Sequence, residues 1–275
     1  MSSIRSVSVV SLSFFLQTLS SIVFYLVIAR TLPAVEVGAI TLFLSFGGIF
    51  MTAFALNLDT GFAHFISYFI GKTGKYSLPR FFMAITAIIT VVSFAVIASV
   101  SHEIASVFFH SSSYTNVVVL MGGYVSESIG LSYMVSILQG IQSFRLAAVS
   151  SMLYSVLSVG IPVGMSIFRL PVEIISAGFV MGAGISFIFS ISFVVGRKLP
   201  NMPIEKGFNT KFFAYVIPVY FGSLTSSLMG TIDSVYSLFY GIALTAPTMV
   251  FNCGNKWVLF RQFFNKIQST IITIY

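Results

Sequence analysis

Glu127 stands inside an otherwise uncharged apolar run, 117–138, with Gly123, Gly130 and Met134 on the same helical face leaving room around it. A charge at the centre of a membrane helix costs on the order of 2.5–3.5 kcal/mol on insertion scales, so the side chain faces a wet cavity or carries a proton. That setting suits a proton, cation or headgroup pathway; the plainer alternative is a neutral carboxyl making one structural hydrogen bond. Asp59 closes the run 37–58 just before Thr60-Gly61. There a helix-end residue in a turn is the ordinary reading, and a coupling carboxylate the functional one. Arg30, at the end of the run 7–29, is placed either to snorkel or to receive phosphate. Polar residues also recur at helical spacing: Ser13, Gln17, Ser20 and Ser21 in the first run, and Ser223, Ser226, Ser227 and Gly230, ending at Asp233, in the seventh. The strings Leu19-Ser20-Ser21-Ile22 and Thr225-Ser226-Ser227-Leu228 hint at an internal repeat. Within lipid a polar group needs protein or water as its partner, so such stripes mark an interior face, although hydroxyls and small residues also serve simply to pack helices together.

The elements that position these residues follow from composition. Of the 275 residues 57% are hydrophobic and 8% charged, with a mean hydropathy of +1.00. Soluble domains hold about 45–50% apolar and about 25% charged residues, so a water-soluble globular fold is excluded. Crossing the hydrocarbon core takes roughly 20 mostly apolar helical residues. Runs of that length recur at 7–29, 37–58, 81–100, 117–138, 146–168, 174–195 and 212–232, with a weaker one at 235–251. The expected fold is all-α, a polytopic helical membrane bundle of one six-helix lobe plus the start of a second. Its divisions are the lobe at 1–195, a cytosolic linker at 196–211, one or two helices of an incomplete second lobe at 212–251, and a basic aromatic tail at 252–275. Short connections favour antiparallel neighbours. The stretch 61–71, apolar and aromatic around His64, reads as an interfacial continuation of the second helix. Gly160, Pro162 and Gly164 predict a kinked fifth helix, and Gly178 with Gly182 a GxxxG-type contact surface on the sixth.

The net charge of +7 and pI near 9.6 could point to nucleic acid, but the Lys and Arg residues sit between apolar runs. A cytosolic N-terminus puts Arg5, Lys72, Lys75, Arg80, Arg145, Arg197, Lys198, Lys206 and Lys211 inside, against Arg30 and Arg169 outside. The positive-inside rule therefore predicts an N-in, multi-pass protein of the cell membrane, with Lys256, Arg261 and Lys266 of the tail facing anionic headgroups and no nucleic-acid partner. The first run is longer than a signal-peptide core and lacks a small-x-small site, so it is expected to remain as a span. Cys253 is the single cysteine, which excludes an internal disulfide, and His64, His102 and His110 have no metal-ligand spacing. Walker A, HExxH and G-x-S-x-G strings are missing. No enzymatic activity, cofactor or metal is expected.

Ala29-Arg30-Thr31-Leu32-Pro33, followed by Glu36-Val37-Gly38, resembles the opening of polysaccharide-type flippases, where a first helix ends in an Arg-x-Leu string and a Glu-x-Gly turn leads into the second. Further matches are Gly61 to Gly71, Leu138-Gln139-Gly140-Ile141-Gln142 before Phe144-Arg145, and Ile217-Pro218 with Ile232-Asp233, in order from residue 8 to about 240. The resemblance implies the polysaccharide branch of the multidrug/oligosaccharidyl-lipid/polysaccharide transporter superfamily, whose members move lipid-linked sugars by alternating access between two lobes. Arg30, Gln139 and Arg145 lie in the matching strings, and the first and seventh helices border the family's central cavity. The sequence holds one lobe and the beginning of another, and the text after Gly241 departs from the family. A truncated gene or shifted frame would account for both, and rocking would then need a second copy or a separately encoded lobe. The expected function is flipping of lipid-linked oligosaccharide, with polar faces of the first, fourth and seventh helices lining the headgroup path and membrane lipid as surroundings. The alternatives are a cation-coupled multidrug-type exporter, using Glu127 or Asp59, and a non-transporting membrane scaffold.

Overall fold

The computed structural model describes residues 2–70, 78–196 and 208–239. It contains α1 (Ser2–Thr31), α2 (Ala34–Ala55), α3 (Leu58–Phe69), α4 (Leu78–Ser99), α5 (Ser101–Phe108), a 3-10 turn (Ser112–Tyr114), α6 (Thr115–Gly140), α7 (Phe144–Ile167), α8 (Val172–Val195) and α9 (Phe208–Phe239). No strand occurs among the described residues. Five helices are long and apolar enough to cross a membrane: α2, α4, α6 with its preceding turn, α7 and α8. The protein is an all-α, multi-pass membrane bundle.

The bundle is built around α6, which packs against α2, α3, α4, α5, α7 and α8. Of its span 72% is buried, against 22% for α4. These two are also the least and the most apolar of the five spans. Outward faces meet hydrocarbon and must be apolar, whereas a central helix contacts only protein and can carry Ser, Gly and Glu. Accordingly Ile88, Val91, Val92, Phe94 and Val96 of α4 are exposed, while Ser126, Ser128 and Ser136 of α6 are buried.

Tight hairpins connect the later helices. At the end of α6, Gln142 adopts a left-handed φ of 61° and the Ser143 amide donates to the Leu138 carbonyl. This is a Schellman closure with Gln in the place usually held by Gly. Arg169 (φ 51°) closes α7 in the same way, with the Leu170 amide donating to the Met165 carbonyl. At the α1–α2 corner Arg30 lies in the last turn of one helix and Glu36 in the first turn of the next, each matched to the local helix dipole.

The expected contact surface on the sixth span is present. A Cβ on Gly182 would lie 2.6 Å from the carbonyl carbon and oxygen of Leu157, and one on Gly178 would lie 2.8 Å from Met165 Sδ and 3.3 Å from Pro162 N. The two glycines let α8 lie backbone-to-backbone on α7. Three expectations need correction. The second helix does not continue through 61–71: it stops at Ala55, and α3 is a separate helix that buries Phe62, Phe65, Ile66 and Phe69 in the bundle rather than among headgroups. Ser101–Phe108 forms an unforeseen short helix. The seventh helix begins at Phe208, inside the expected linker, and runs through Asp233 and Val235 to Phe239, so no turn separates 212–232 from 235–251. Residues 197–207 of the linker, 240–251 of the proposed eighth span and the tail 252–275 lie outside the described residues.

Substituting Gly182→Ala should destabilise the bundle by about 1–3 kcal/mol, because the new methyl meets backbone that cannot swing away. A Cβ on Gly160 meets nothing within 4 Å. Gly160→Ala should therefore be neutral or stabilising by up to about 1 kcal/mol. Thermal unfolding in detergent, followed by size exclusion, separates the two outcomes.

Candidate functional site

Between α2 and α3 the chain turns through two consecutive left-handed residues, Leu56 (φ 48°) and Asn57 (φ 51°). Asn tolerates this region, whereas for Leu it costs roughly 1–2 kcal/mol. The elbow interrupts the hydrogen-bond ladder, leaving the last carbonyls of α2 and the first amides of α3 without helical partners. Among apolar helices these groups must find partners in the protein. The Tyr133 hydroxyl of α6 donates to the Ala55 carbonyl, and the Tyr220 hydroxyl of α9 donates to the Ala53 carbonyl at 3.3 Å.

Asp59 occupies the first turn of α3, where the helix dipole favours negative charge. Its Oδ1 accepts from the Thr60 amide at 2.9 Å and its Oδ2 from the Ser132 hydroxyl at 3.0 Å. The Thr60 hydroxyl reaches Asn57 Oδ1 at 3.5 Å. Ser132 and Tyr133, neighbours on α6, thus serve the two sides of the elbow. This level lies about 10 Å of helix before α6 ends at Gly140. Asp59 opens α3 rather than closing the second span, and it also ties α3 to the central helix.

Aromatic packing fixes the elbow from below. Phe62 stacks on Phe82 of α4 (4.1 Å, 17°) and meets Tyr133 edge-on at 5.1 Å. Phe212 of α9 joins them at 6.2 Å from Phe62, and His64 stacks on Tyr215 (4.6 Å, 13°). A Cβ on Gly61 would approach Val216 to 2.7 Å and Phe212 to 2.9 Å; one on Gly140 would approach Ile66 to 2.6 Å. These two glycines, both within the strings that carry the family resemblance, let α9 and α6 close on opposite sides of α3.

Glu127 is half-buried and turned toward α8, about 140° around α6 from Ser132. The space expected around it is not empty. Val180 fills the side next to Gly123, Phe187 fills the side next to Gly130, and Gly184 lies under the carboxyl itself. Asp59 and Glu127 therefore belong to separate contacts of one helix.

The remaining candidates are dispersed. Gln17 and Arg30 are exposed and Ser20 is half-buried on α1, which packs chiefly against α7. Gln139 is half-buried beside Gly140, and Arg145 is exposed in the first turn of α7. Ser223 is half-buried on α9, which packs on α2 and α3. The side chains of Ser13, Ser227 and Asp233 lie outside the described residues. Sequence reading missed the tyrosines. The Tyr124 and Tyr154 hydroxyls lie 3.0 Å apart, with the Ser128 hydroxyl 3.2 Å from that of Tyr154, tying α6 to α7. Tyr124 and Ser128 stand at i, i+4, a polar pair inside an apolar run that could have pointed to this contact. No group of three or more potential metal-ligating residues occurs among the described residues.

Removing the Tyr133 hydroxyl should leave the Ala55 carbonyl without its donor. Tyr133→Phe is expected to cost about 1–3 kcal/mol, and Tyr220→Phe less because its bond is longer. Unfolding in graded SDS–detergent mixtures, followed by circular dichroism, measures both.

Residues 3–255 match a family described as "Polysaccharide biosynthesis protein". The match runs on to residue 255, which corrects the expectation that the text after Gly241 departs from the family. No curated protein and no solved structure matches the chain.

Proposed function

Because the chain belongs to the polysaccharide biosynthesis protein family, we propose that it is a flippase-type transporter that moves lipid-linked oligosaccharide across the cell membrane. The observation that carries this reading is the family match over nearly the whole of a multi-pass helical bundle. The N-terminus is cytosolic in this reading, as the nine-to-two distribution of basic residues favours. The elbow then lies toward the cytosolic end of α6, where a sugar headgroup would be loaded. Polar faces of α1, α6 and α9 line the headgroup path, with Ser13, Gln17, Ser20, Ser223, Ser227 and Asp233 as its hydrogen-bonding groups. Arg30 and Arg145 attract pyrophosphate from opposite ends of their helices.

Alternating access requires one lobe to move against another about a fixed site. In this reading α9 opens the second lobe, whether that lobe lies in this polypeptide or in a partner copy. The contacts of α9 support the assignment, since Gly61 and the Tyr220–Ala53 bond seat it on the elbow of the first lobe. Motion of α9 would reach Asp59 and Ser132 through the same short segment.

Reconstituted into liposomes, the purified chain should expose a fluorescent polyprenyl-pyrophosphoryl oligosaccharide to an impermeant quencher faster than empty vesicles do. Asp59→Asn, which removes a charged acceptor at the elbow, is expected to slow this about tenfold. An intact, correctly inserted bundle that does not accelerate translocation would rule the flippase reading out.

A further inference from the structure

Glu127 is held in a contact with a definite register. Along α6 and α8, Gly123 faces Val180 at 3.4 Å, Glu127 Oε1 comes within 2.9 Å of where a Cβ on Gly184 would sit, and Gly130 faces Phe187 at 2.6 Å. The positions rise together, so the two helices run in the same direction and meet at i, i+4 and i+7 on both. Each level pairs one glycine with one larger side chain, and the glycine changes helix at the middle level. Glu127 is thus the knob that enters the hole left by Gly184, with apolar Val180 and Phe187 about one turn to either side.

The carboxyl is poorly provided for in this position. Oε2 is fully shut away and has no hydrogen-bond partner. At this contact α8 brings Val180, Gly184 and Phe187, none of which titrates. The titratable groups near this part of α6 have other partners: Asp59 of α3 binds Ser132, while Tyr154 of α7 binds Ser128 and Tyr124, the latter one turn before Glu127 and close to Tyr25 of α1. Tyr133 of α6 itself is bonded to the Ala55 carbonyl. An unpaired carboxylate in apolar surroundings is far more costly than a neutral carboxyl lacking one partner.

We propose that Glu127 is a proton-binding site coupled to the α6–α8 contact, protonated while Gly184 closes on it and deprotonated when the two helices part and water reaches the carboxyl. Closure and proton binding then favour each other reciprocally, as linkage requires. Since the closed contact holds one more proton than the parted one, raising the pH favours parting and lowering it favours closure. The motion lies within one lobe, between its fourth and sixth spans, and is separate from any rocking of lobes at α9. It is independent of the flippase reading, because it concerns protonation and helix contact alone.

Infrared difference spectroscopy of the full chain in lipid nanodiscs tests the site. At a pH of about 7, well above the ordinary carboxyl range, the wild type should show the C=O stretch of a protonated carboxylic acid that Glu127→Gln lacks. That band should fade as the pH is raised. Gly184→Ser, which brings a hydroxyl donor beside the carboxylate, should make it fade at lower pH. As a second measurement, a hydrophobic carbodiimide, which modifies protonated carboxyls in apolar surroundings, should label Glu127 several-fold more than Asp59, whose oxygens both accept hydrogen bonds. Loss of label in Glu127→Gln, read by mass spectrometry, would support the assignment even if the serine variant does not fold. Identical neutral-pH spectra for wild type and Glu127→Gln, or labelling of Glu127 no greater than that of exposed Glu103, would overturn it.

Discussion

A helix that breaks among apolar helices leaves carbonyls and amides that need partners from outside the helix. The rest of this bundle is arranged around meeting that demand at Leu56–Asn57. Two tyrosine hydroxyls cover carbonyls at the end of α2, one from the central helix and one from α9, while Ser132 binds the carboxylate in the first turn of α3. Two separate helices, α6 and α9, are therefore bound to the short segment that joins α2 to α3. The left-handed conformation at Leu56 is held by these partners, since nothing in a leucine side chain favours it.

The same economy of polar groups explains the radial arrangement. The most apolar span, α4, is the most outward, and the least apolar, α6, is the most enclosed. In water the opposite gradient would be expected; in a bilayer the polar residues turn inward because only protein can satisfy them. Glycine then sets the spacing. Gly61, Gly130, Gly140, Gly178, Gly182 and Gly184 each stand where a Cβ would collide with a neighbouring helix. Association of helices in lipid depends on such close approach, because hydrocarbon offers no hydrophobic drive between them.

The carboxylates of Asp59 and Glu127 have different surroundings at different faces of α6. Asp59 sits among donors at a helix terminus and is tied to the elbow, whereas Glu127 is pressed into a glycine hollow without a donor. One is suited to hold a backbone junction or meet a polar headgroup; the other is sensitive to whether α6 and α8 are in contact. The two settings are separated by about 140° around α6.

Length, hydropathy and the order of short strings were enough to read the all-α membrane class, five of the spans, the glycine contact surface on α8 and the family, because those depend on local composition and on residues close in sequence. Arg30 was legible as a helix-end residue for the same reason. The elbow was not. Its stretch reads as continuous apolar helix, and the tyrosines that stabilise the break lie 78 and 167 residues from the carbonyls they serve. The surroundings of Glu127 were equally hidden: its flanking glycines promised open space, and only the packing of α8 shows that Val180 and Phe187 fill it. Sequence determined which segments prefer lipid, since that preference is additive along a helix. Tertiary structure decided which polar groups meet and which stay alone, since that depends on the register of helices distant in sequence.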